Sequence, residues 1–175
     1  LLVDFFIFFS DELVARNFRD REIALRSAAA AVNEAKLMIH GMYDRSRLPS
    51  KLPQQLNAET CGHSPLPRGF SCDRAAFTAS TIDLFAAGTA GMASAASVGT
   101  YNPNGGSASH VSPTLAGLSE QPRYLIVLSN LDECSSERAT GADGPADLRT
   151  CFKIFGQGRG RLANTRVNLV EMYVR

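Results

Sequence analysis

Residues 11–42 read DELVARNFRDREIALRSAAAAVNEAKLMIHGM, without proline and with a single glycine, Gly41. Phe18, Leu25, Val32 and Ile39 recur every seven positions. Val14, Ala28, Ala35 and Met42 form a second row offset by three or four, interrupted by Arg21. This is the pattern of an amphipathic α-helix with a narrow apolar stripe. Glu12/Arg16, Arg16/Asp20 and Glu22/Arg26 add opposite-charge pairs four apart, each worth about 0.2–0.5 kcal/mol. The alanines from Ala28 to Ala31 add helix propensity and a smooth surface that another backbone can approach closely. At about 1.5 Å per residue the segment makes a rod of about 45 Å. That is long for a chain of 175 residues, so one face is expected to pack on a sheet while the other end projects.

The partner of that face lies in the C-terminal third, where the apolar period changes to two. Arg123–Asn130 (RYLIVLSN) reads as a buried strand with Tyr124, Ile126 and Leu128 on one face and Leu125 and Val127 on the other. Cys151–Phe155 is a second strand, and Thr165–Val174 a third, with Val167 and Leu169 opposite Val170 and Met172. Gly156–Asn164 (GQGRGRLAN) between them reads as a hairpin connection. A further strand hidden in the middle would enlarge the sheet. The expected fold is α+β, a long N-terminal α-helix packed on a C-terminal antiparallel β-sheet, with Leu25 and Val32 facing the sheet and Phe18 nearer the projecting half.

The middle is irregular. Arg47–Pro67 carries Pro49, Pro53, Pro65 and Pro67, which excludes a continuous helix. Asp73 could cap a short helix over Arg74–Ala87 packed through Phe77, Leu84 and Phe85. Leu84–Ser119 contains no Asp, Glu, Lys or Arg and reads as a long surface excursion of residues too small for a core. The organisation is therefore an unmatched or foreign segment 1–11, a helix 12–42, an irregular middle 43–122 and a sheet 123–175, with 12–175 as one domain. Leu1–Phe9 is apolar apart from Asp4, yet it is only about half the length of a bilayer span. It also lacks the basic start and cleavage site of a signal peptide.

With 45% apolar and 20% charged residues the chain is globular in composition, and 18 Lys/Arg against 17 Asp/Glu give no global cationic field. The charge is nevertheless uneven. Arg149, Lys153, Arg159, Arg161 and Arg166 form a basic cluster, with no acidic residue from Leu148 to Val170. Arg159 and Arg161 are expected to be exposed on the glycine-rich connection. This edge suits an acidic surface on a protein partner, with DNA as the alternative. Gly156-Gln157-Gly158-Arg159-Gly160 is spaced GxGxG and leads into a strand, unlike a phosphate-binding loop. His40, His63 and His110 accompany no GxSxG elbow. His40 suits the C-terminal end of the helix dipole. Cys61, Cys72, Cys134 and Cys151 leave three readings open: disulfides, free buried thiols, or zinc at Cys61, His63 and Cys72. Neighbour pairing, Cys61–Cys72 and Cys134–Cys151, is the expected one. No cofactor is indicated.

Glu12–Lys36 closely resembles the start of the soluble domain of PilX-type minor pilins of bacterial type IV pili, through Asn17, Arg19, Asp20, Arg21, Ala24, Ala28, Ala31 and Ala35. Gln121–Ile126 (QPRYLI) resembles the entry to a sheet strand in that family. Phe152-Lys153-Ile154, Gly156, Gly158 and Asn164–Leu169 resemble its final hairpin. The resemblance implies a type IV pilin fold and a subunit that joins other minor pilins, the major pilin and a tip adhesin without turnover. Val14, Phe18, Leu25, Ala28, Val32, Ala35 and Ile39 would then serve helix packing or assembly. It also implies an extracytoplasmic life, at the inner membrane and periplasm before assembly and in the fibre or its tip afterwards. Family members begin with a prepilin-peptidase site and a membrane-spanning helix, which residues 1–11 do not match. The alternatives are a small secreted or periplasmic hydrolase with disulfides and a DNA-binding minor pilin acting in DNA uptake.

Overall fold

The computed structural model describes residues 2–43, 68–71, 84–86, 89–99, 115–129 and 151–174, with the side chains of the long helix described from Glu12 to His40. That helix, α1, runs unbroken over Leu2–Tyr43, beyond both ends of the expected 12–42. At about 1.5 Å per residue it is about 63 Å long.

Among the described residues five strands form one sheet: β1 (Phe70–Ser71), β2 (Ala96–Ser97), β3 (Arg123–Ser129), β4 (Cys151–Arg159) and β5 (Arg166–Val174). A short helix, α2 (Ala90–Ser94), precedes β2. β3, β4 and β5 make an antiparallel meander, with Leu125 opposite Phe155 and Phe155 opposite Val170. The sheet as a whole is mixed rather than antiparallel, because β1 joins β3 in parallel while β2 pairs antiparallel with the start of β3. Both short strands come from the irregular middle. They fit there because Gly69, at φ 92°, leaves no room for a side chain: a Cβ would meet the Ala96 Cβ and the Tyr124 ring, each at 2.8 Å.

The central strands β3 and β4 bury both faces. Tyr124, Ile126, Leu128, Phe152 and Ile154 point to α1, where they meet Ala31, Val32, Ala35, Met38 and Ile39. Leu125, Val127 and Phe155 point the other way, against Phe85 and Ala95. The stretch from Leu84 is thus partly packed and not a surface excursion throughout: Phe85, Ala95, Ala96 and Val98 are all buried. Small residues are what a sheet edge in close contact with a turn can accept. The helix expected over Arg74–Ala87 lies outside the described residues except for Leu84–Ala86, which form a turn.

The buried face of α1 differs from the sevenfold stripe. Val32 and Ile39 are buried, whereas Leu25 is 45% and Phe18 71% exposed. Ala24, Ala28, Ala31 and Ala35 take the central positions, each at 0%. Leu25 stands about 100° around the helix from Ala24, on the flank of the contact. The helix lies so close to the sheet that only alanine and serine fit at the centre, and a leucine there would push the two apart.

Candidate functional site

The closeness of that contact originates in β4. Gly156 and Gly158 belong to this strand and Gly160 follows it, so the GxGxG run is mostly strand and not a flexible connection. All three face α1. A Cβ on Gly156 would meet Val32 Cγ2 at 2.7 Å and the Ala28 carbonyl at 3.0 Å, and one on Gly158 would overlap the backbone of Ala24 and Ala28. Every second residue of a strand advances about 6.6 Å and every fourth of a helix about 6.0 Å. Glycines two apart therefore match helix positions near Asp20, Ala24, Ala28 and Val32, with α1 antiparallel to β4. The Ser27 hydroxyl seals the seam, its one proton shared between the carbonyl oxygens of Ala24 (2.8 Å) and Arg159 (3.0 Å).

Asp20 ends the seam. It is 5% exposed and its Oδ1 accepts the Arg161 backbone N–H at 2.7 Å. Burial pushes its pKa up, but the Thr165 hydroxyl, the N–H groups of Arg161 and Leu162 and the Arg161 charge outweigh burial and hold the carboxyl below its usual range. Oδ2 has no partner of full hydrogen-bond geometry; the neighbouring donors still favour its charge. One helix carboxylate thus organises the β4–β5 turn.

The basic cluster looks different in space than in sequence. Arg159, expected to be exposed, has a side chain only 18% accessible, because it lies on β4 beside Glu120, whose Oε2 is 3.6 Å from its Nη2 and 3.7 Å from Nη2 of Arg123. Glu120 and Asp20 bring negative charge to a segment that has none of its own. Arg161 and Arg166 are exposed. Lys153 is half-buried, with its ammonium 5.4 Å from the centre of the Phe155 ring. Arg149 lies outside the described residues.

At the other end of the contact the ties are polar. Glu34 Oε2 accepts the N–H of Gly99 at 2.9 Å and secures the turn after β2. Lys36 pairs with Glu171 at 2.6 Å, and His40 Nε2 lies 2.5 Å from the Tyr173 hydroxyl. His40 therefore joins helix to sheet in addition to its place near the helix end.

N-terminal to Asp20 the helix leaves the sheet. Every described residue from Glu12 to Arg19 is exposed, including Leu13 (57%), Val14 (52%) and Phe18 (71%). Val14, Phe18 and Leu25 fall within about 40° of one another around the axis and form an apolar strip bordered on one side by the Arg26–Glu22 pair, with the Arg16–Glu12 pair on the far side of the helix. Of the assembly residues expected from sequence, Val14, Phe18 and Leu25 lie on this strip. Ala28, Val32, Ala35 and Ile39 are in the seam or the core.

Cys151 is buried and disulfide-bonded; Cys61, Cys72 and Cys134 lie outside the described residues, as do His63 and His110. Among the described residues no group of three metal-ligating side chains gathers, and no helix is long and apolar enough to cross a membrane. Sequence reading missed the roles of Asp20, Glu34 and Glu120. Asp20 had a signal: it stands four before Ala24 and eight before Ala28, on the face that the three alternate glycines seek.

No protein-family model, no curated protein and no solved structure matches this chain.

Proposed function

We propose that the chain is a minor pilin, a structural and interaction subunit that enters type IV pilus assembly through its helix, within a complex of minor pilins and a tip protein. The observation that carries this reading is the shape of α1. Its sheet-covered part begins at Asp20, and the preceding turns present Leu13, Val14 and Phe18 to solvent. A single helix that packs into a domain at one end and carries an exposed apolar strip at the other suits a subunit that packs beside other helices. The resemblance of Glu12–Lys36, Gln121–Ile126 and Phe152–Leu169 to PilX-type minor pilins gives the partner class: other minor pilins, the major pilin and a tip adhesin. The same reading places the protein outside the cytoplasm, at the inner membrane before assembly and in the fibre or its tip afterwards, with the full-length form anchored through a helix.

The test is co-purification of the full-length gene product with co-expressed minor pilins. Val14→Asp and Phe18→Asp are expected to abolish capture while leaving the thermal midpoint of the domain unchanged. Retained capture by both variants refutes helix-mediated assembly. DNA uptake is the second reading, favoured only by the exposed Arg161 and Arg166. It requires duplex affinity that falls by about 0.9 log units per phosphate contact for each log unit of salt.

A further inference from the structure

Where the seam ends at Asp20, cations outnumber acids. Arg19 and Arg21 flank Asp20 on α1, and Arg161 sits on the β4–β5 turn with its backbone N–H on the Asp20 carboxylate at 2.7 Å. All three arginines are exposed. Among the described residues none of them makes an ion pair, because the neighbouring acids are taken. Glu12 pairs with Arg16 and Glu22 with Arg26. Asp20, the one acid that feels the Arg161 charge, is buried under the turn. Three guanidiniums therefore stand around a single buried carboxylate.

Their placement around the axis selects the occupant. Successive helix residues are about 100° apart, so Arg19 and Arg21 lie on opposite flanks of Asp20, with Arg161 between them on the sheet side. The three cations share one height and occupy three sides of the helix. A protein or a duplex lying along α1 covers one flank only, and on the strip of Val14 and Phe18 it would reach Arg21 alone. A charged plane pierced by the helix meets all three at once. Beyond that height α1 continues through residues 2–18, about 26 Å, and residues 2–9 are apolar but for Asp4. Leu162, 55% exposed, lies beside Arg161 at the end of the sheet from which the helix emerges.

We infer that this end of the domain rests on a bilayer surface, with Arg19, Arg21 and Arg161 on the phosphate groups of anionic lipids and Leu162 at the interface beside them. Guanidinium forks match phosphate oxygens, and each basic residue near an anionic surface raises affinity about fivefold. Asp11 is about 12 Å along the axis from Arg19, beyond the screening length of about 8 Å at physiological salt, so it does not cancel the collar. The inference concerns a surface and not a span. It deepens the reading of α1 as an anchored assembly helix and rests on that reading for the membrane itself.

The test uses the 175-residue chain and vesicles of phosphatidylcholine, either alone or with a minority of phosphatidylglycerol. Co-sedimentation is expected to show at least tenfold tighter binding to the anionic vesicles, with the preference fading as salt rises. Arg19→Gln combined with Arg21→Gln leaves the contact between Asp20 and Arg161 in place. That pair is expected to weaken binding to anionic vesicles about thirtyfold and to leave binding to neutral ones unchanged. Arg19→Lys combined with Arg21→Lys keeps the charge and is expected to stay within about threefold of wild type. Equal wild-type binding to both vesicles, or an anionic-vesicle affinity unmoved by the Gln pair, overturns the inference. Tighter binding of wild type to duplex DNA than to anionic vesicles also overturns it, in favour of nucleic acid. Should the Gln pair melt early, the wild-type salt series decides, and a preference insensitive to salt counts against the collar. If co-expressed minor pilins are not captured while charge-dependent vesicle binding holds, the pilin reading falls and this inference stands. The reverse result removes this inference alone.

Discussion

Gly158 is the position where the fold tolerates least. A methyl group there would occupy the space of the Ala24 carbonyl and the Ala28 amide, both helix backbone that cannot rotate away. Gly158→Ala is expected to cost about 3 kcal/mol or more, read from denaturant midpoints, although it replaces one small residue with another. Gly117→Ala is the control for the introduced methyl group: it has open space but φ 76°, so its cost is backbone strain alone. Asp20 gives a pH signature. Its folded pKa lies below the ordinary value of 3.8, so the stability it supplies is complete above that value and is lost as pH falls through the folded pKa. Asp20→Asn is expected to lower stability at pH 7 by about 1.5–3 kcal/mol and to flatten the acid limb of the stability curve. An acid limb identical to that of wild type would show that the charge is not what holds the β4–β5 turn.

At the scale of elements, the helix and the three long strands were legible because apolar period alone distinguishes them. The buried face of α1 was not. Sevenfold spacing ranks residues by hydrophobicity, and by that rank Leu25 outweighs Ala24; the glycines of β4 reverse the order by drawing α1 too close for leucine. Leu25→Ala is therefore expected to change stability little, within about 0.5 kcal/mol, whereas Ile39→Ala, at a fully buried position, is expected to cost about 2–5 kcal/mol. Paired thermal melts check this, and equal losses would return Leu25 to the core. β1 and β2 were invisible in sequence because two residues are too few to show any period. The basic cluster was legible as composition but not as field, since Glu120 and Asp20 come from distant parts of the chain.

For the whole molecule, what remains to be joined is covalent as well as spatial. Cys151 is disulfide-bonded; the expected pairing joins it to Cys134 and Cys61 to Cys72, cysteines that lie outside the described residues. Peptide mapping without reductant is expected to yield those two cross-linked pairs, and any other pairing refutes the assignment. The seam between α1 and β4 has a mechanical consequence. Traction on the free end of α1 along its axis acts parallel to the seam, so Asp20, Ser27, Glu34, Lys36 and His40 share the load simultaneously. Traction across the axis would peel the helix away and break those ties in turn, beginning at Asp20. A rod seated this way resists tension along its length and yields to a sideways pull, so single-molecule rupture forces should be several-fold higher in the first geometry than in the second.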